Sequence, residues 1–177
     1  DGHGVTPAYR MRAAEVVPQT TWRNVFFVHV SKTGGTSLSA AGRLALGEKF
    51  VGYICGRNPA VRCKWDLPRE TTSRCMEEGA LFSQEIEASH LLAQWPEPCR
   101  SGSNGTLFFA MVRNPTSWIP SAYAHCTRIL GPDSCGANVT ETVRLRRSYF
   151  RVPSYQTNSL AGLLHSRDTP LVLCRTE

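Results

Sequence analysis

Lys32-Thr33-Gly34-Gly35-Thr36-Ser37 places one ammonium, two glycines and three hydroxyls between the apolar run "NVFFVHV" and a stretch of helix formers over residues 38–46. The chemistry this composition serves is anion binding. A helix N-terminus presents unpaired N–H groups and about half a positive charge. Gly34 and Gly35 let the backbone approach an anion closely, Thr33, Thr36 and Ser37 add hydroxyl donors, and Lys32 sets a mobile ammonium over the same anion. A solvent-facing lysine on an ordinary turn accounts for a lone glycine pair, but not for the whole string with a strand before it and a helix after it. A nucleoside-triphosphate loop reads G-x-x-x-x-G-K-[ST], with its lysine after the second glycine. Here the lysine precedes both glycines and no acidic strand end completes such a site, which argues against a kinase or NTPase.

The elements that position this loop follow from periodicity. Residues 1–23 carry scattered charge and prolines and read as an extended N-terminal segment, followed by a domain over 24–177. "NVFFVHV" is apolar on both faces, as a strand inside a parallel sheet must be. Gly47 is placed to cap the helix after it. "KFVGYIC" is a second apolar stretch, followed by a region rich in Pro, Arg and Cys. "LFSQEIEASHLLAQW" reads as a strand passing into a helix that Pro96 and Pro98 stop. "GSNG" is a turn and "TLFFAMV" a strongly apolar strand ending at Arg113-Asn114-Pro115. "SWIPSAYAHCTRIL" is a helix with Pro120 in or near its first turn, and "TPLVLC" is a further short buried strand. Alternating apolar strands and helices predict an α/β fold, a three-layer P-loop-like domain with a mostly parallel central sheet.

The chain of 177 residues has the length of one domain, and a net charge of +6 favours an anionic ligand or polyanionic substrate. Its basic residues, densest at Arg144, Arg146 and Arg147, are not interleaved with aromatics, so no nucleic-acid partner is expected. Seven cysteines without a C-x-x-C pair predict disulfides and not a metal site. With the sequons Asn104-Gly105-Thr106 and Asn138-Val139-Thr140 they favour a secretory lumen or the exterior. Cys126 and Cys135 bracket a Gly-Pro-Asp turn and are expected to pair, leaving Cys174, inside "LVLC", as a free buried thiol. No apolar run of about 18 residues spans a membrane, so any targeting or anchoring segment is expected outside the given chain.

"VSKTGGTSL" resembles the 5′-phosphosulfate loop of the Golgi carbohydrate sulfotransferases, usually P-K-T-G-[GS]-T-[ST] after the first strand. Ser31 stands here where that family commonly has proline. The family's 3′-phosphate element is a strand ending in R-[DN]-P, then a helix with a serine further along, which in "MVRNPTSWIPSAYAH" gives Arg113 and Ser121. Such a pair, at a strand's carboxyl end and on the next helix, can grip one phosphate together. Trp118 occupies a position where many members have another arginine. "SYQTNSLAG" resembles a further stretch, N-x-Q-T-R-x-L-[AS]-G, matching at Gln156 and Thr157 with Ser154 and Asn158 departing. "LVLCRTE" is weakly similar to a late strand and turn of the family, in which another helix and a covering loop usually follow, so the chain is expected to be C-terminally incomplete.

The resemblance implies a PAPS-dependent carbohydrate O-sulfotransferase, moving a sulfuryl group from 3′-phosphoadenosine 5′-phosphosulfate to a glycan hydroxyl without a metal. It implies cofactor contacts from Lys32, Thr33, Gly34, Gly35, Thr36, Ser37, Arg113 and Ser121, with Lys32 also at the reacting centre. The catalytic base is expected at His90, with Glu85 or Glu87 as the alternatives. It further implies an anionic polysaccharide or glycan acceptor and a membrane glycoprotein of the Golgi, with this chain in the lumen as a type II ectodomain, or a secreted protein. The rival from another class is a catalytically inactive nucleotide- or anion-binding relic of the same fold. That rival holds if none of His90, Glu85 and Glu87 faces the sulfuryl position.

Overall fold

The computed structural model describes residues 22–53, 67, 69–100, 105–146, 150, 154–166 and 169–176. Most of the expected N-terminal segment, most of the Pro/Arg/Cys-rich region with Cys55 and Cys63, most of the "GSNG" turn with Asn104, and Arg147 lie outside these residues. Five strands form one sheet: β1 (Asn24–Val28), β2 (Phe50–Tyr53), β3 (Leu81–Gln84), β4 (Thr106–Arg113) and β5 (Leu171–Thr176). Their order is β2-β3-β1-β4-β5, and every pairing is parallel. The connections carry helices: α1 (Gly35–Leu46), α2 (Arg69–Ser73), α3 (Ala88–Gln94), α4 (Glu97–Arg100), α5 (Pro115–Leu130), α6 (Pro132–Cys135), α7 (Val139–Arg144) and α8 (Tyr155–Leu164).

Register builds the core. Phe26 lies beside Phe82 on one neighbour and Phe108 on the other, so three phenyl rings share one face of the sheet. The Trp95 indole closes over them edge-on, 4.9 Å from Phe26 and 5.1 Å from Phe82. Its Nε1 donates to Thr106 Oγ1 at 3.1 Å, which satisfies the one polar atom of that ring. Leu91 of α3 and Leu160 and Leu163 of α8 join this face. On the opposite face Phe27 stacks on Phe109 at 4.8 Å, and Ser39 of α1 meets Ser83 of β3 at 3.0 Å. Helices on both faces of a parallel sheet make the three-layer α/β architecture expected from the alternation of apolar runs.

The chain leaves central β1 toward β2 and β3 and then crosses over to β4. Such a change of direction opens a crevice at the carboxyl ends of the neighbouring strands. The glycine loop, Glu85 and Arg113 all stand at those ends.

Some expectations need correction. β5 is the last strand in the order, with one described neighbour, so Cys174 is free as expected but exposed and not buried. α5 starts at Pro115, ahead of the Ser117 that the sequence pattern marks. Asn114 caps it by accepting from the Thr116 amide at 3.0 Å, and Pro120 falls inside the helix. Pro98 does not simply end helical structure, since α4 runs through it. Against the membrane character implied by the resemblance, no helix among the described residues is long and apolar enough to cross a membrane. Cys126 and Cys135 form the expected disulfide, and Cys75 pairs with Cys99.

Candidate functional site

The loop between β1 and α1 depends on two local conformations. Gly34 has φ 98°, in the left-handed region where a side chain is disfavoured. Gly35 is required for a different reason. A Cβ there would lie 2.0 Å from Cδ2 of His29, so the imidazole occupies the space a side chain would fill. Lys32 also has a positive φ, 68°, a strained conformation for a residue with a Cβ. Turning the chain this way brings Gly35 and Thr36 to the start of α1, where their amides have no preceding helical turn to bond.

A cavity of 360 Å³ opens at this point, lined by His29, Ser31, Lys32, Gly34, Gly35, Thr36, Glu85, Arg113, Ser121 and His125. Two groups that are far apart in sequence, the lysine–glycine loop and the Arg113/Ser121 pair, therefore share one chamber with the Glu85 carboxylate. Arg113 is steadied at both ends. Its Nε donates to Ser117 Oγ at 3.2 Å, and its backbone is clamped by Gln156, whose Oε1 accepts from the Arg113 amide at 2.8 Å while Nε2 donates to its carbonyl at 2.9 Å. The Gln156 amide thus imitates a neighbouring strand at the end of β4.

Four expected site residues do not line the cavity. Thr33 is buried, and its hydroxyl donates to the Val30 carbonyl at 2.7 Å, so it braces the loop. Ser37 is exposed on α1, with its amide donating to the Gly34 carbonyl at 3.1 Å. His90 and Glu87 lie together one turn apart, with Nε2 and Oε2 separated by 4.0 Å, away from the chamber. The reason is local: Glu85 follows directly on β3, whereas Glu87 caps α3 and His90 lies within it, so the chain has already turned from the crevice.

The electrostatics of the chamber centre on Lys32, Glu85 and His29. Burial, and then the Arg128 guanidinium, push the Lys32 pKa below its ordinary value, against the pull of Glu85. Burial lowers the His29 pKa from the ordinary 6.5, with Glu85 opposing and Lys32 adding to the shift. Burial thus disfavours the imidazolium form of His29. Among the described residues no group of His, Cys, Asp and Glu is arranged to hold a metal ion.

Sequence reasoning missed His29 and His125. The signal for His29 was a polar residue interrupting the apolar run "FFVHV" just before the glycine loop. His125 follows Ser121 by one helical turn on α5, and its Nδ1 lies 3.1 Å from Arg128 Nη2. Comparison of the chain with protein-family models, with curated proteins and with solved structures finds no match.

Proposed function

We propose that this is a P-loop-like sulfotransferase domain that moves a sulfuryl group from 3′-phosphoadenosine 5′-phosphosulfate to a hydroxyl of an anionic glycan. One observation carries the proposal: a single chamber holds the Lys32 loop, the Arg113/Ser121 pair and Glu85. Two separate cationic grips fit a ligand with two separate anionic groups, and the carboxylate in the same chamber fits a proton acceptor. The relic alternative holds if none of His90, Glu85 and Glu87 faces the sulfuryl position, and Glu85 lining the chamber supports the enzyme over it. Glu85, directly after β3, supplies an acidic strand end that the sequence did not show, so it is the order of lysine and glycines that argues against a kinase or NTPase.

The donor supplies the sulfuryl group and leaves as a bisphosphate. Arg113 and Ser121 hold the 3′-phosphate, while Lys32 and the amides of Gly35 and Thr36 oppose charge on the 5′-phosphate. Glu85 takes the proton from the acceptor hydroxyl. Two disulfides in the described residues, an exposed Asn138 sequon and the net positive charge support a secretory lumen or the exterior and an acidic polysaccharide acceptor.

The test is an assay of the purified domain with sulfur-labelled donor and a panel of heparan, chondroitin and neutral glycans. Label should enter a polysaccharide with equimolar release of adenosine 3′,5′-bisphosphate. Binding of the bisphosphate with no transfer to any acceptor would leave the relic, and hydrolysis of ATP would favour the NTPase.

A further inference from the structure

We propose that Ser31 is a positioning residue for Glu85, the middle link of a directed chain of hydrogen bonds from Tyr155 to the carboxylate in the chamber. The inference rests on the proposed role of Glu85 as the proton acceptor. It starts from an observation about the two departures from the resembled motifs: Ser31, in place of proline, and Trp118, in place of arginine, meet each other. Trp118 Nε1 donates to the Ser31 carbonyl at 2.9 Å, with the indole almost fully buried. The same indole stacks on Tyr155, with ring centroids 5.7 Å apart and planes at 21°, and Tyr155 Oη lies 3.4 Å from Ser31 Oγ. Ser31 Oγ in turn bonds Glu85 Oε1.

The direction of the chain follows from donor inventory. An ionised carboxylate only accepts, so the one hydroxyl proton of Ser31 must point to Glu85. The remaining lone pairs of Ser31 Oγ face Tyr155, whose hydroxyl then donates. Each link fixes the next: α8 carries Tyr155, the Tyr155–Trp118 stack fixes the indole, the indole fixes the Ser31 backbone, and the Ser31 hydroxyl fixes the plane of Glu85. Ser31 is buried, 3% exposed, at the edge of the chamber. A proline at residue 31 would have no hydroxyl to supply the bond to Glu85. The arrangement ties the orientation of the carboxylate at the end of β3 to the packing of α5 and α8.

The test is a mutant cycle read as kcat for bisphosphate release with heparan and chondroitin acceptors, alongside the bisphosphate Kd of each variant. Ser31→Ala is expected to lower kcat about tenfold, the size of one lost hydrogen bond to a charged group, with the bisphosphate Kd changed less than about twofold. Ser31→Thr, which keeps the hydroxyl, should restore most of the rate, and Tyr155→Phe should show a smaller loss. In a Glu85→Asp background, where the shortened side chain has already left Ser31, Ser31→Ala should add less than about a twofold loss. An equal loss in both backgrounds, or a fall in bisphosphate affinity that matches the fall in kcat, would make Ser31 a structural part of the loop and overturn the proposal. Glu85→Gln separates the two levels. Full activity in that variant would remove Glu85 as the base and Ser31 with it, whereas an inactive Glu85→Gln with an additive cycle would remove Ser31 alone.

Discussion

At Lys32 two costs meet at one residue: a left-handed backbone and an ammonium whose pKa is lowered by burial and by Arg128. Neither helps the protein fold, and the proposed function gives the ammonium a use, since the donor's anionic group would offset the cost of burying it. Lys32→Ala and Lys32→Gly should each reduce sulfuryl transfer at least about a hundredfold, roughly 3 kcal/mol of transition-state stabilisation. Lys32→Gly should also melt no lower than Lys32→Ala, since glycine accepts the positive φ that alanine does not. A turnover within threefold of wild type in either variant would remove Lys32 from the chemistry. His29 gives a pH signature. Its folded pKa lies below the ordinary 6.5, so the unfolded chain takes up the proton first as pH falls. Its effect is thus a loss of stability that sets in as pH drops through about 6.5 and levels off below the lowered folded value. Denaturant titrations across that range should show a shallower acid decline in His29→Gln, and an unchanged decline would show that the histidine is not the group responsible.

At the scale of elements, the β1–α1 connection can be probed through Gly35. Gly35→Ala forces a Cβ into the His29 ring and should cost about 1–3 kcal/mol in urea unfolding, as overpacking does. The same substitution in a His29→Ala background should cost much less, because the obstructing ring is gone. The disulfide between Cys126 and Cys135 joins α5 to α6 across a sequence separation of 9. Replacing both cysteines by serine should lower stability by about 2–3 kcal/mol, and peptide mapping without reduction should find both thiols blocked in the native protein. Buried strands were plain in the sequence: "VFFV" and "LFFAMV" are apolar runs, as strands inside a parallel sheet with both faces covered must be. β5 misled because "LVLC" has the same composition, and nothing local tells an edge strand from a central one. The loop could be read because a strand end and a helix start mark it, whereas Arg113 and Ser121, the latter in the second turn of α5, came from the resemblance. Glu85 could not be separated from Glu87 and His90, since only the end of β3 decides which one faces the crevice. His29 and the Ser31–Trp118 contact were hidden because they depend on residues brought together by the sheet order.

For the whole molecule, the sheet order gathers the ends of β1, β3 and β4 into one chamber, and the positive net charge would give the proposed anionic donor a favourable field. The central claim is that the two grips hold two different phosphates of one nucleotide. Calorimetric titration with adenosine 3′,5′-bisphosphate and with adenosine 5′-monophosphate, on wild type and Arg113→Ala, tests it most directly. Wild type should bind the bisphosphate more tightly, and Arg113→Ala should weaken the bisphosphate by about a hundredfold while changing the monophosphate by no more than about threefold, as expected for one lost charge-assisted phosphate contact. Failure of wild type to bind the bisphosphate, or an equal loss for both nucleotides in Arg113→Ala, would contradict it.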